Sequence, residues 1–303
     1  MSLDADKQLE RQRLKRRLGL WRVAAVIAAV VAVLLVVDRE TPVFERAHIA
    51  RYSVRGIILE DLDRTELLKK AAEDPAVKAV IVRVDSPGGT VVGGETLYKS
   101  IRDLAEKKPV AVVMGELATS AAYMGSLGGD RIFARSGSVT GSIGVILQTT
   151  DVTGLLEKLG ISTEALKSGP LKAVPSPLEP LTPEARAATM SVIDDVFQMF
   201  LGLVIERRHL ARADALKLAD GRVFTGRQAV ENGLIDEIGG ETEAVNWMAA
   251  SFGINTELPI EDLDNPEEPS LWRELVGSFT GKTLIPERLT LDGLVSLWHP
   301  ELR

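Results

Sequence analysis

Ser120 is the residue whose type and position best suit a nucleophile. It lies in a stretch rich in small residues, 115–144, soon after an apolar run, Val110–Met114, that predicts a buried strand. The small residues that follow Ser120 predict the start of a helix. A serine at a strand-to-helix turn exposes its oxygen beside outward-pointing backbone N–H groups, which suits nucleophilic attack. A serine that merely caps a helix is the alternative.

A second glycine-rich turn, Ser86-Pro87-Gly88-Gly89, follows the apolar run Val77–Val84. In a parallel sheet both turns would lie at the carboxyl ends of strands, where binding sites form. Because glycine lets a backbone N–H approach a substrate oxygen closely, this turn could supply one donor of an oxyanion hole. The N–H of Ala121 could supply the other. The turn matches neither a Walker A loop nor a dinucleotide-binding fingerprint.

A serine nucleophile needs a base, and the composition restricts the choice. The chain has no cysteine, and its three histidines, His48, His209 and His299, lie outside the glycine-rich turns. This argues against a thiolate site, a Ser-His-Asp triad and a histidine metal site. A lysine can act as a base if its amine is neutral near pH 7, which requires burial or a cationic neighbour. Lys172 is the candidate because prolines and apolar residues surround it; a solvated surface charge is the alternative.

Four segments, in this order along the chain, carry a resemblance to a known family. They read DSPGG, LATSAAYMGSLGGDRIFARSGSVTGSIGVI, LKSGPLKAVPSP and ADGRVFTGRQAVENGLIDEIG. They resemble the bacterial signal peptide peptidase A-type serine proteases over about Gly56 to Glu243. The resemblance implies the crotonase-like α/β superhelix that this family shares with the caseinolytic protease. Matched by motif, it implies that Ser120 is the nucleophile, that Lys172 is the general base, and that Gly88 is the oxyanion glycine.

The same resemblance has three further implications. Ser142, in the T-G-S-x-G element, would hydrogen-bond the lysine and hold it in place. No metal or cofactor would be needed, and the protomers would form a ring in which serine and lysine meet across a subunit boundary. Two features depart from the family pattern: Ala121-Ala122 replaces the usual glycine pair, which is expected to narrow the site, and the tail from about Ile254 matches no family motif. Lys167 is the alternative base.

The elements that must position these residues alternate along the chain. Strands alternating with helices predict βα units, an α/β class and a mostly parallel sheet. Predicted helices include Leu62–Glu73 and Glu241–Phe252, and a short strand is predicted over Thr163–Leu166. A long helix is predicted from Thr182 to about His209. Its apolar side is broader than one packed face needs, so it predicts either core packing or contact with a neighbouring protomer.

The N-terminus predicts a membrane anchor. Residues 1–22 carry seven Lys or Arg against three Asp or Glu, and an uncharged run, 23–37, follows. No small-x-small cleavage site follows that run, so an uncleaved signal anchor is favoured over a signal peptide. With its flanks, about 18–37, the run is long enough to span a membrane once. The predicted domains are a cytoplasmic N-terminus 1–22, an anchor 23–37, a stalk 38–48, a protease domain 49–253 and a linker and tail 254–303.

The predicted function is a membrane-anchored serine endopeptidase with a Ser-Lys dyad. It would cleave signal-peptide remnants or other extended apolar peptides on the periplasmic side of the bacterial inner membrane, because basic flanks stay in the cytoplasm. The net charge of −7, reached despite the basic N-terminus, argues against nucleic-acid binding. Two alternatives remain. A crotonase-type acyl-CoA hydratase or hydrolase would be cytoplasmic with a carboxylate at the site, and a membrane scaffold would keep the fold without catalysis.

Overall fold

The computed structural model describes residues 46–263, the helical residues 21–22 and 25–26, and the backbone of 295–297. Most of the predicted anchor, nearly all of the stalk and most of the tail lie outside the described residues. The described residues from Ala47 onward belong to one compact unit, and the candidate site lies among them.

Three parallel strands form the centre of this unit. They are β1 (His48–Ile58), β2 (Val77–Thr90) and β3 (Val110–Thr119), and β2 lies between the other two. Most of their β-branched and alanine residues are buried, on both faces, as is typical of strands that helices cover on each side. The predicted α/β class and mostly parallel sheet are therefore confirmed. The finer assignment to a crotonase-like superhelix stays a prediction.

Six shorter strands complete a mixed sheet within the described residues. They are β4 (Arg131–Ala134), β5 (Val139–Gly141), β6 (Val223–Thr225), β7 (Glu237–Ile238), β8 (Ile260–Asp262) and β9 (Val295–Leu297). β4 and β5 both run parallel to β3, one beside its first half and the other beside its end. β6 runs antiparallel to β5, and β9 runs antiparallel to the last residues of β2. β8 pairs with β1, so the sheet continues beyond residue 253.

Helices cover both faces of the sheet. In the range 46–263 they are α1 (Leu62–Glu73), α2 (Val91–Ala105), α3 (Ala121–Ser126), α4 (Thr153–Lys158), α5 (Pro183–Arg208), α6 (Arg212–Leu218), α7 (Gly226–Glu231) and α8 (Glu241–Phe252). One face packs against α1, α2, α3 and the second half of α5, and the other packs against α8. The bounds of α1 and α8 are those predicted. α1 begins there because the Asp61 carboxylate accepts the Arg64 N–H at 3.0 Å.

Two differences from the predicted elements bear on the site. β2 and β3 continue beyond their apolar runs to Thr90 and Thr119, because their last residues still pair with neighbouring strands. The predicted strand Thr163–Leu166 is wrong: this segment is irregular and almost wholly exposed. Thr163–Leu166 is not paired with any of the strands in the described chain, and a strand needs such pairing for its backbone groups.

The segment 144–184, which we call the arm, contains no buried residue. It includes α4 and the predicted base Lys172. Its large apolar side chains that are exposed are Ile146, Leu155, Leu159, Ile161, Leu166, Leu171 and Leu178. The arm leads into α5, which is long and apolar enough to cross a membrane by length and composition alone, although Phe200, Leu201 and Val204 of this helix pack in the core.

Candidate active site

Ser120 occupies a strained turn between β3 and α3. Its φ of 59° and ψ of −121° are unusual for a residue other than glycine. Two backbone bonds hold the turn: the Ser120 N–H donates to Gly141 O at 2.9 Å, and the Met124 N–H donates to Ser120 O at 2.9 Å. Strained strand-to-helix turns of this kind are typical of nucleophilic serines because they project the hydroxyl away from the backbone. The turn predicted from the sequence is therefore present.

A cavity of about 420 Å³ adjoins Ser120. Its walls are mainly apolar and include Ile143 and Ile146 from the segment after β5 and Ile193 and Phe197 from α5. Neither Ile193 nor Phe197 was among the predicted site residues, although their i, i+4 spacing places them on one side of a helix. An apolar cavity beside a nucleophile can hold a side chain of an apolar substrate.

Ser142 lines the same cavity as Ser120. Its φ is 51°, and its N–H donates to Arg222 O at 2.8 Å. The residue before it, Gly141, accepts the Ser120 N–H, so one backbone bond joins the two serine turns. The tertiary structure thus brings together two residues that lie 22 positions apart in the sequence.

Lys172 does not line this cavity. It is exposed on the arm, and no lysine or histidine is among the cavity-lining residues of the range 46–263. The alternative base, Lys167, lies on the arm as well, forms an ion pair with Glu179 and does not line the cavity. A single copy of the chain therefore assembles the nucleophile and Ser142 without a lysine beside them.

Two carboxylates also line the cavity, Asp194 and Asp220. Arg222 donates to both oxygens of Asp220 and lowers the pKa of that exposed carboxyl below its usual range. Asp220 is thus held as a paired anion at neutral pH, which disfavours it as a general base for Ser120. Asp194 lies exposed on α5.

The turn Ser86-Pro87-Gly88-Gly89 runs beside the end of β1. Gly88 has a φ of +110°, and a Cβ on Gly89 would lie 1.9 Å from Ile58 O, so both positions require glycine. The Gly88 N–H donates to Ser86 Oγ at 3.1 Å. Gly88 could therefore hold an oxyanion only by sharing that N–H, and the next residue, Gly89, pairs with Ile58 of β1 and with Ser296 of β9.

Ala121, the second candidate donor, begins α3 and is fully buried. N–H groups in the first turn of a helix have no partner within the helix. The side chain of Ala121 faces α2, because a Cβ added to Gly94 would lie 2.9 Å from Ala121 Cβ. Its methyl group does not line the cavity, so the narrowing expected from this departure is not seen at Ala121.

Tyr123 holds α3 in place through a buried hydrogen bond. It is fully buried, and its hydroxyl donates to Leu234 O at 2.8 Å. Burial raises the pKa of this phenol above its usual range, so the hydroxyl keeps the proton that it donates. The bond ties the helix that follows Ser120 to a distant loop.

The chain is similar to known proteases. The pattern of the family described as Peptidase family S49 matches residues 102–255. One relative is a protein of Synechocystis sp. that is provisionally named a protease. It is 40% identical over 235 residues, which cover 77% of this chain and 84% of that protein. A protein of Enterococcus faecium, provisionally named signal peptide peptidase SppA, is 37% identical over 182 residues, which cover 60% of this chain and 53% of that protein. This chain thus spans about half of the second relative.

Among solved structures, the chain is similar to a variant of ClpP1 from Listeria monocytogenes. The TM-score is 0.42 and the sequence identity 17%, with 64% of this chain and 93% of that chain covered. This similarity concerns the fold alone.

Proposed function

Since the chain belongs to peptidase family S49 and is a serine endopeptidase, we propose that Ser120 is its nucleophile and that Lys172 of a second copy of the chain is its general base. The family assignment favours a peptidase over the acyl-CoA enzyme and the scaffold that the sequence left open. Ser142 would orient the lysine amine once the two copies meet.

One observation supports the shared site more than any other. Ser120 and Ser142 line one cavity, while Lys172 lies exposed on an arm without a buried residue. A lysine that acts as a base must be neutral, and burial favours the neutral amine. The arm of a single chain gives Lys172 no such burial, so packing against another copy would have to supply it.

The arm also has the apolar surface that such packing requires. Leu155, Leu159 and Ile161 are at least half exposed, and Leu166 is 93% exposed. Val192 on the neighbouring α5 is 51% exposed. Exposed apolar surface marks interaction sites in soluble domains where it forms a large patch, so these side chains are candidates for contact with another copy. A ring of copies would bury this surface and bring each Lys172 towards the Ser120 of a neighbour.

The proposed reaction follows from these roles. The neutral Lys172 amine takes the proton of Ser120 Oγ while that oxygen attacks the carbonyl carbon of the scissile peptide. The N–H groups of the Gly88-Gly89 turn and of Ala121 would stabilise the oxyanion. The resulting ammonium then gives its proton to the leaving amine. Water, deprotonated by the same lysine, hydrolyses the acyl-enzyme ester and releases Ser120.

The proposed substrates are extended apolar peptides such as signal-peptide remnants. β9 already lies antiparallel to Gly88–Thr90 of β2, which supports the idea that this edge accepts an extended backbone. A substrate could take the place of β9 there and pair with β2 by main-chain hydrogen bonds. Its apolar side chain would then enter the cavity between Ser120 and Phe197.

The proposed location is the bacterial inner membrane. The uncharged run 23–37 would cross it once, with residues 1–22 in the cytoplasm and the protease domain on the periplasmic side. This arrangement would place the enzyme where signal-peptide remnants arise.

The test is complementation between two inactive forms. Ser120→Ala and Lys172→Ala chains carrying different tags are co-expressed, and the mixed oligomer is purified through both tags. Hydrolysis of a fluorogenic apolar peptide should return, because a wild-type serine meets a wild-type lysine at some boundaries. Oligomers of Ser120→Ala carrying both tags serve as the matched control and should stay inactive.

A verified mixed oligomer without any recovery would contradict the shared site. If the Lys172→Ala chain alone retained activity near the wild-type level, the lysine assignment would also be wrong.

A further inference from the structure

We propose that Thr119 is a positioning residue for this reaction. Its hydroxyl would fix the peptide unit between Pro87 and Gly88 and thereby set the direction of the N–H groups of the oxyanion turn relative to Ser120. The proposal rests on the proposed role of Ser120 as the nucleophile.

The turn needs such a fixing bond. A peptide unit is planar, so its C=O and N–H point in opposite directions and rotate together. Next to glycine, which accepts many backbone conformations, that unit can rotate with little steric cost. The Pro87–Gly88 unit is followed by Gly88 with φ of +110° and by Gly89. Gly88 pairs with Ile57 of β1 and Leu297 of β9, and bonds from side chains fix the side of this unit that faces β3.

Two side chains hold this peptide unit at its two ends. Thr119 Oγ1 donates to Pro87 O at 3.0 Å, and the Gly88 N–H donates to Ser86 Oγ at 3.1 Å. Ser86 Oγ in turn donates to Gly56 O at 2.6 Å, which anchors it to β1. Thr119 is 0% exposed and Ser86 1% exposed, so water does not compete for these bonds.

The Thr119 hydroxyl joins β2 and β3 just beyond the point where their backbone pairing ends. The ladder between β2 and β3 ends with the pair Ser86 and Ala118, so Pro87 has no backbone partner on β3. The Thr119 hydroxyl continues the contact by one residue. Thr119 immediately precedes Ser120 in the sequence, and its backbone pairs with Gly141 of β5. One side chain thus couples the oxyanion turn to the nucleophile turn.

The test compares Thr119→Val, Thr119→Ser and a matched control in the full-length chain. Valine keeps the shape and β-branching of threonine but removes the donor. The control is Thr65→Val: the Thr65 hydroxyl also donates to a main-chain carbonyl, that of Asp61 at 3.1 Å, but it lies on α1, outside the glycine turn and the cavity. We expect Thr119→Val to lower kcat by about 10–100-fold with KM changed less than about threefold, because only the transition state would feel the misplaced donors.

Thr119→Ser should recover most of the lost kcat, since serine retains the hydroxyl. Labelling by a fluorophosphonate, whose phosphoryl oxygen also needs the oxyanion donors, should slow in Thr119→Val and stay near the wild-type rate in Thr65→Val. Equal kcat in the two valine variants, or no recovery with serine, would overturn the role of Thr119. If the wild-type chain were not labelled at Ser120, the proposed function would fail instead, so the two failures are distinguishable.

Discussion

Two regions of the molecule, the nucleophile platform and the arm, differ in burial and in the hydrogen bonds that hold them. The platform consists of Ser86–Gly89, Ala118–Ala122 and Ser138–Ser142. Nearly every residue in it is buried, and backbone or side-chain bonds join its three turns. The arm, 144–184, has no buried residue and exposes seven large apolar side chains.

This difference indicates that the nucleophile and the proposed base are held in different ways. Groups that must stabilise charge benefit from rigid placement before the substrate arrives, and one copy of the chain provides this for Ser120 and its surroundings. A lysine base needs burial rather than a fixed place in the same core. Its arm is the part of the chain that gains most from a neighbour. Activity would then depend on assembly, while folding of the platform would not.

The largest effect should come from Ser120→Ala. We expect hydrolysis of an apolar peptide to fall by at least about 10⁴-fold, because the remaining groups can bind substrate but not form an acyl-enzyme. The fold should persist, since alanine meets the same strained φ without adding volume. Ser138→Ala is the matched control, a serine of the platform outside the cavity. Peptidase rates near the wild-type level for Ser120→Ala would remove the nucleophile from the platform.

Lys172→Arg should lose about as much activity as Lys172→Ala, on the order of 10³-fold or more, because a guanidinium stays protonated and cannot accept the serine proton. Thermal unfolding should not change, since Lys172 is exposed on the arm. Lys158→Arg, an exposed arm lysine at the end of α4, should keep its activity. An active Lys172→Arg enzyme would contradict the proposed contribution of the arm to catalysis.

Ser142→Ala should have an intermediate effect of about 10–100-fold on kcat, as expected for a group that only orients a catalytic one. The pH profile is the informative measurement. Loss of a bond to the lysine amine should alter the pH dependence of kcat, whereas a purely structural defect would lower kcat equally at all pH values. An unchanged profile with full activity would mean that Ser142 does not contact the base.

The smallest effect should come from the apolar surface of the arm. Leu166→Glu should leave the unfolding temperature unchanged, because Leu166 is 93% exposed. It should weaken self-association by about tenfold or less, as for a single peripheral contact, with a matching loss of activity at low protein concentration. Leu62→Glu, at a residue of α1 that is 73% exposed and lies outside the arm, is the control. Light scattering that shows the same oligomer for both variants would indicate that this part of the arm does not contact a neighbour.

Much of the fold could be predicted because its signals are local. α1 has the predicted bounds because Asp61 caps its start and Asp74-Pro75 follows its end. α8 likewise ends at Gly253, whose φ is +71°. The turn at Ser120 was also predictable, since an apolar run followed by small residues indicates a strand leading into a helix. Such signals act between residues a few positions apart, so the sequence displays them directly.

Contacts between residues that are far apart in the sequence could be identified only in the tertiary structure. It brings Ser142 into the cavity of Ser120, extends β2 through its glycines, and leaves Lys172 on the exposed arm. It also shows that Gly88 donates to Ser86 and that Thr119 holds Pro87. The predicted strand Thr163–Leu166 is wrong for the same reason. Strand pairing, cavity formation and hydrogen bonds between turns depend on the position of chain far away in sequence, and no local pattern encodes that position.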